Sequence, residues 1–500
     1  MNIGSGWKTA LSGRPRRGER RNPTAAAASP MYETVILGGG PAGTGCLVWA
    51  ARHGRLGAWL DGGVALVEQT GQLGGALGQY PLNADSRGMS FLECLDGPHC
   101  EAALTGVRAD PVTVELERWR EGRPTLRLVN RFERCVGAAI LSEFARHPNS
   151  RAFTGATALA IRQERGGPVA VLIATEDGRR SVIRAASAVV ALGGRPITSW
   201  SGVELAAGLN LGDWRSKILA SHRLLTRGGA QEVGRRLART NLEPRVVIVG
   251  GAHSAFSSAW MLLEQVPGLR FGPRSVHILH RSEPRPTYVS RGAAWADRYQ
   301  FSESDVCQVT GRVHRLGGLQ GDGREIWRRI HGKPGTERDD RAVTMPIGGL
   351  TRAELKGLLD NADLIVPALG YRLATIPIYD PDGRPVRLAS TGPAVRADAR
   401  LLAADGTPVP GVFGVGLGSG FVPWGAMAGE TSFAGQQNSL WLYQNGLGEL
   451  IYNSTRRLAQ QQMRGAETTF GAAATFDTIP TPDAGAAILA AASSSATKEA

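Results

Sequence analysis

The sequence predicts an α/β protein containing two strand–glycine turn–helix–strand units, the second inserted into the domain built on the first. Three observations carry this. The first unit is Thr34-Val-Ile-Leu-Gly-Gly-Gly-Pro-Ala-Gly-Thr-Gly45, with glycines spaced as Gly38-x-Gly40-x-x-Gly43. A second copy begins at Val246-Val-Ile-Val-Gly-Gly-Ala252. Near the far end, Pro410-Gly-Val-Phe-Gly-Val-Gly-Leu-Gly-Ser-Gly420 reads as a strand returning to the first domain. The expected architecture is therefore two Rossmann-like dinucleotide-binding domains of the three-layer ββα type. The first comprises residues 31–200 and 360–464, and the second residues 243–359.

Each part of the first unit has a physical task. Thr34 to Leu37 reads as a buried strand. Gly38 makes the tight turn, Gly40 lets the backbone approach a pyrophosphate, and Gly43 lets helix and strand pack closely. Pro41 and Ala42 open a helix whose N–H groups and positive dipole end favour phosphates. The next strand, Val64-Ala-Leu-Val67, ends in Glu68, a carboxylate able to accept both hydroxyls of an adenosine ribose, with Gln69 beside it.

Composition narrows the class. Five hundred residues suffice for two or three domains with a large core. The hydrophobic fraction of 42% and charged fraction of 20% are those of an ordinary globular protein. No run of eighteen apolar residues occurs, so no membrane-spanning helix is expected. Much of the net charge of +13 sits in residues 1–30, where Lys8, Arg14, Arg16, Arg17, Arg20 and Arg21 face only Glu19. The remainder is spread, without a nucleic-acid motif, so no nucleic-acid partner is expected. Residues 1–30 lack the apolar core of a secretory signal and read as a disordered basic extension ahead of Met31, with an organelle transit peptide as the alternative. Cys46, Cys94, Cys100, Cys135 and Cys307 lack metal or redox spacing and fit a reducing compartment, the cytoplasm; no metal site is expected.

Between the two units, Gly71 to Tyr80 is too glycine-rich for a helix or strand and falls where ligands meet a doubly wound sheet. Gly74 and Gly75 are candidates for contact with the first cofactor, and Gln79, Tyr80 and Asn83 for the substrate lining. Val136 to Phe144 reads as helix. Strands follow at Phe153–Ile161, Val169–Thr175, Ser181–Ile183 and Ser187–Gly194. Residues 197–243 read as a polar helical connection. In the second unit the strand Ser275–Leu279 ends in His280-Arg281 and not in an acid. Arg281 can pair with a 2′-phosphate that a carboxylate would repel, which favours NADPH over NADH; the alternative is a solvated surface charge, with Glu283 nearby. His253 reads as a helix cap or phosphate neighbour and His277 as a core residue. The segment 300–341 is charged and reads as an irregular cover. Thr351-x-x-Glu354 is a capping box. Phe421 to Gly425 is expected to open a helix, with Gln436, Gln437, Trp441 and Tyr443 on the amphipathic helix after it and Trp424 near the substrate. Residues 465–500 read as a disordered tail.

Several elements resemble those of a known superfamily, the flavoproteins with two dinucleotide-binding domains. Ala191-Leu-Gly-Gly194 is similar to their ATGG strand end, which adds Gly193 to the cofactor-facing positions. Gly250-Gly-Ala-His-Ser-Ala255 is similar to the GGGQSA turn of flavin monooxygenases, which marks Gly250 and Ser254. Asp363-Leu-Ile-Val-Pro-Ala-Leu-Gly-Tyr371 resembles the ATGY element of the N-hydroxylating branch. The resemblance implies FAD in the first domain and NADPH in the second. It implies Gly416 and Leu417 at the flavin, without the aspartate that disulfide reductases carry there. The implied reaction is hydroxylation of a small molecule with O2 at an amine nitrogen. Two alternatives stand beside it. One is a thiol-free NADPH reductase, dehydrogenase or oxidase. The other is a non-redox flavoprotein whose second site is degenerate, because Ala252 places a methyl where the second glycine belongs.

Overall fold

The computed structural model describes residues 31–97, 99, 102–238 and 243–471. The expected extension at residues 1–30, Cys100 and residues 472–500 of the expected tail lie outside them. The chain divides after Ala459. The first unit holds both sheets; the second, from Gln460, begins within the helix Gly446–Gly471, so helix continues past residue 464, where a tail was expected to start.

The first sheet grows from β1 (Met31–Leu37). After the glycine turn come helix α1 (Pro41–Arg52) and β2 (Val64–Glu68). The long helix α2 (Leu126–Arg146) then leads to β3 (Arg151–Thr154). β4 (Ala156–Gln163), β5 (Val169–Thr175) and β6 (Arg180–Val190) follow as a meander. β1 lies between β2 and β6, parallel to both, and β3 continues the parallel layer beyond β2.

Two of the expected strands divide differently. Phe153–Ile161 is cut at Gly155, whose φ of +68° turns the chain from the parallel layer into the meander. Ser181–Ile183 and Ser187–Gly194 are joined in β6, because Arg184-Ala-Ala186 contains no turn residue. The first half of β6 pairs antiparallel with β5 and its second half parallel with β1.

The second sheet is wholly parallel. It comprises β7 (Val246–Val249), followed by helix α3 (His253–Trp260), and β8 (Val276–His280). Helix α4 (Gly321–Ile330) precedes β9 (Ala342–Pro346) and β10 (Leu364–Pro367). Their order is β9-β8-β7-β10. Alternation along the strands separates two cores. Val246, Ile248, Val276, Ile278, Leu364 and Val366 pack under α3 and α4, with Phe256, Ile326 and Trp327. Val247, Val249, Leu279 and Ile365 face Leu211, Trp214, Leu355 and Leu359. β10 falls in the stretch expected to belong to the first domain. The first sheet resumes after it with β11 (Pro408–Gly414), parallel to the end of β6.

The segment 300–341 is not irregular throughout. It contains α4, which packs on α3 where Gly323 brings its backbone close to Phe256; a Cβ there would lie 3.2 Å from Phe256 Cβ. The Gly-Asp-Gly start hides this helix, because glycine scores as a breaker until its packing role is known. The expected helix from Phe421 is also absent. Gly418, Gly420 and Gly425 all have positive φ, so only the turn Gly425–Met427 forms. Gln436 and Gln437 lie in a loop, and Trp441 and Tyr443 in the short helix Leu440–Tyr443. The capping box forms as expected, with Glu354 accepting the Thr351 N–H at 2.8 Å.

On α2, Glu133 is 2% exposed and its Oε1 has no partner among the described residues. Burial pushes its carboxyl up from 4.5 to about 8. A raised acid favours the folded state at low pH, and that advantage is lost as pH rises from the unfolded value through the folded one. Glu133→Gln removes the titration. Denaturant unfolding of the cofactor-free proteins at pH 5 and pH 9 should show the variant gaining on the parent, on the order of 4 kcal/mol at the higher pH. An equal difference at both pH values would contradict the buried, unpaired carboxyl.

Candidate active site

The first turn leaves its glycines no choice. Gly38 has φ +106°, and a Cβ there would lie 2.4 Å from the Ala191 carbonyl oxygen. A Cβ on Gly43 would lie 1.9 Å from the Gly38 oxygen. At Gly40 the nearest atom to a Cβ is Gly75 Cα, 3.8 Å away, so the backbone faces open space. α1 starts with Pro41 in its first turn, with no side-chain cap and no acid there. Its first N–H groups are thus left for an anion. Glu68 closes β2 as expected. Its Oε2 accepts the Gly39 N–H at 2.7 Å, and its Oε1 accepts the Thr70 N–H at 2.7 Å and hydroxyl at 2.9 Å. Of about four acceptor positions on a carboxylate, one remains open. That suits one ribose hydroxyl where two had been expected. Gln69 is exposed beside it.

Gly74 and Gly75, with φ +101° and +69°, lay their loop on this turn. The Gly74 N–H donates to Gly39 O at 2.8 Å. Asn130 on α2 donates to Gly74 O and Gly75 O at 3.0 and 3.2 Å and accepts the Gly78 N–H at 3.1 Å. Asn130 was missed in the sequence; its signal is a lone amide on the apolar face of an amphipathic helix. On the other side, Gly416 (φ +106°) abuts Ala42, and Leu417 packs on Gly194 beside Gly193. The two groups enclose the N-terminus of α1 at the carboxyl ends of β1, β6 and β11. This is the switch point where dinucleotides bind open α/β sheets. The residues present fit a dinucleotide.

The second turn repeats the first. The Gly250 N–H donates to Leu279 O at 2.8 Å, as that of Gly38 does to Val67 O. A Cβ on Gly250 would lie 2.5 Å from Ala368 O. Ala252 is exposed in extended backbone, φ −110°, and His253 and Ser254 open α3 without a cap or an acid. His280 takes the place that Glu68 holds in the first unit; it is 2% exposed and its Nδ1 has no partner among the described residues. The residue ending β8 is thus an imidazole, with Glu283 Oε2 4.0 Å from its Nε2. Arg281 is exposed, with Nη2 donating to Glu204 O at 2.8 Å.

The expected substrate-lining residues separate. The Tyr80 phenol meets Tyr371 of the Ala-Leu-Gly-Tyr element, whose own phenol is pushed up by burial and by that hydrogen bond. Asn83 reaches across to the second domain, donating to Asp322 Oδ2 at 3.0 Å. Gln79 is exposed, its carbonyl taking the Arg227 N–H at 3.0 Å. Trp424 is 49% exposed and tied to Ala397 O at 2.8 Å.

No protein-family model matches the chain. The chain is 35% identical over 434 residues to a CMP-5'-(3-aminopropyl)phosphonate hydroxylase from Streptomyces rubellomurinus, covering 84% of this chain and 96% of the relative. The chain belongs to this hydroxylase's family. Among solved structures, the ornithine hydroxylase of Pseudomonas aeruginosa in its reduced form shares the fold. It matches at TM-score 0.50 and 16% identity over 86% of this chain and 99% of that one.

Membership of a hydroxylase family agrees with the monooxygenase expected from the sequence over the reductase, oxidase and non-redox readings. Among the described cysteines Cys46, Cys94, Cys135 and Cys307 none is in a disulfide, and burial pushes the Cys46 thiol up to about 12. Among the described residues no helix is long and apolar enough to cross a membrane.

Two outcomes test the turns. Gly40→Leu fills the open face of the first turn, so the purified variant should show no flavin absorbance; full occupancy would remove FAD from this turn. In the parent hydroxylase NADPH should reduce the flavin faster than NADH, and Arg281→Ala should erase the preference through the apparent affinity for NADPH. Anaerobic rapid mixing at varied nicotinamide concentration reads this. An unchanged preference would leave Arg281 as a strut on the Glu204 carbonyl.

Proposed function

We propose that the chain hydroxylates the primary amine nitrogen of a small aminoalkylphosphonate joined to CMP. The identity to the CMP-5'-(3-aminopropyl)phosphonate hydroxylase, spread over nearly the whole of that relative, carries this reading. The nitrogen is chosen on two grounds. An unprotonated alkylamine is the strongest nucleophile in such a molecule, and the Ala368-Leu-Gly-Tyr371 element resembles that of N-hydroxylating enzymes. In balance, amine, O2, NADPH and a proton give hydroxylamine, NADP and water.

Bound FAD supplies the redox chemistry, receiving two electrons from NADPH and delivering one oxygen atom of O2. The chain's part is to bind and orient. For FAD we assign Gly38, Gly40, Pro41, Ala42 and Gly43 to the pyrophosphate, Glu68 and Gln69 to the adenosine side, and Gly74, Gly75, Gly193, Gly416 and Leu417 to the enclosing walls. For NADPH we assign Gly250 and Ser254 to the pyrophosphate and Arg281 to the 2′-phosphate. Tyr80 and Asn83 hold the inner boundary between the domains, with Gln79 and Trp424 at its exposed margins. The domain division follows the sheets, with β10 closing the second domain before the chain returns to the first. Cytoplasmic location is favoured because none of the four described cysteines forms a disulfide.

The reaction is tested with the flavin-loaded enzyme, NADPH, oxygen and CMP-5'-(3-aminopropyl)phosphonate. The product should gain one oxygen atom, placed on nitrogen by its hydroxylamine reactivity. NADPH consumption that ends wholly in hydrogen peroxide would reject this substrate class.

A further inference from the structure

Five arginines from distant parts of the sequence gather where residues 83–87 and 119–123 of the first domain meet residues 305–324 of the second. The meeting is fixed by Asn83, which donates to Asp322, and by Gly321, where a Cβ would lie 3.0 Å from Asp85 Oδ1. Arg123 is half-buried, with Nε donating to Asp85 O at 3.3 Å. Arg315 is half-buried, with Nη1 donating to Ala428 O at 3.4 Å and to Cys307 Sγ at 3.5 Å and its guanidinium 5.0 Å over the Trp441 ring. Arg312 is half-buried and feels the charges of Arg87 and Arg315. Among the described residues none of Arg123, Arg312 and Arg315 forms an ion pair with a carboxylate. The two other members are paired, Arg87 with Glu121 at 3.0 Å and Arg324 with Asp297 at 3.8 Å.

Such a grouping is costly without an anion. Burial lowers Arg123 and Arg312, and the neighbouring arginines add to this: Arg324 and Arg87 against the first, Arg87 and Arg315 against the second. Asp85 and Asp322 offset part of the field at Arg123, and at Arg312 the offset comes from the Cys307 thiol alone, last among the effects on that guanidinium. Guanidinium forks match phosphoryl oxygens in shape and charge. Arg281, assigned above to the 2′-phosphate, lies at the end of β8 and is not among these five.

We infer that Arg123, Arg312 and Arg315 form a phosphoryl-oxyanion site that holds the phosphate and phosphonate groups of the substrate. This rests on the reading that the substrate is a nucleotide conjugate. The amine end is then left for the flavin, and both domains share one anion.

The test uses the flavin-loaded enzyme with CMP alone as probe, cytidine as control, and calorimetric titration. CMP should bind and cytidine should bind at least tenfold more weakly. Arg312→Gln should weaken CMP at least tenfold, and Arg312→Lys should recover part of the loss. Arg315→Gln gives a second reading should the first variant fold poorly. Equal binding of CMP and cytidine, no binding of either, or unaltered CMP affinity in both glutamine variants would overturn the site. A rise confined to the NADPH concentration needed for flavin reduction would assign the oxyanion to the nicotinamide cofactor and overturn it too. The readings fail separately: CMP binding without amine hydroxylation rejects the reaction, and hydroxylation without arginine-dependent CMP binding rejects the site.

Discussion

The contact on which the first domain depends is the approach of Gly43 to the carbonyl of Gly38. No side chain fits in the 1.9 Å that a Cβ would leave there. The contact sets α1 against β1, and so sets where the N-terminus of α1 points. The loop at Gly74 and Gly75, the Asn130 amide behind it and the end of β11 at Gly416 all take their places from that N-terminus. Backbone groups make most of these contacts, so precision comes from glycine's absence of a side chain and not from side-chain recognition. The contact between the two domains is built differently, from polar side chains such as Asn83 and Asp322 on separate segments.

This contrast explains what was legible in the sequence. The turns are local, so their glycine spacing and the acid at the end of β2 could be read within a few residues. The apolar run Val246–Val249 could be read in the same way, whereas Leu364–Val366 was assigned to the first domain, because nothing local says which sheet a short apolar run joins. Elements that depend on distant partners were not legible. Helix α4 looked like a loop because its glycine serves a contact with Phe256, about sixty-five residues earlier in the chain. The turns after Phe421 looked helical because composition does not register positive φ at Gly418, Gly420 and Gly425. The arginine cluster draws on positions 87, 123, 312, 315 and 324, and only the folded chain brings them together.

Asn130 and Glu133 show the same limit on a single helix. They are three residues apart on α2 and both buried, and helical periodicity alone marks each as a polar interruption. Their surroundings separate them. Asn130 satisfies three backbone groups of the glycine loop, which makes the amide a positioning residue for that loop. Glu133 has no partner for one oxygen, and its raised carboxyl makes it a source of pH dependence. One amide and one acid on the same face thus do opposite things to stability, which no propensity scale distinguishes.

The second turn bears on whether it is a worn copy of the first. It has Ala252 and Ala255 where the first has Gly40 and Gly43, and the second of these changes would be ruinous in the first turn's geometry. The structure absorbs them by starting the helix differently. In the first turn the Thr44 N–H donates to Gly40 O at 2.9 Å, four residues back. In the second, Ala252 O accepts the Ala255 N–H at 2.9 Å, three residues on, and more weakly the Phe256 N–H at 3.3 Å, four residues on. This tighter start seats Ala255 fully buried, and Ala252 takes a φ open to any residue. His280 packs against Gly251 in the space that the first turn gives to Leu73 and Glu68. The substitutions therefore form a consistent set: two alanines, a tighter helix start and an imidazole where a carboxylate stood. A site decaying without constraint would show clashes or a lost helix start, and this one shows neither. The alanines mark a second way of building the same turn, with the uncapped N-terminus of α3 kept.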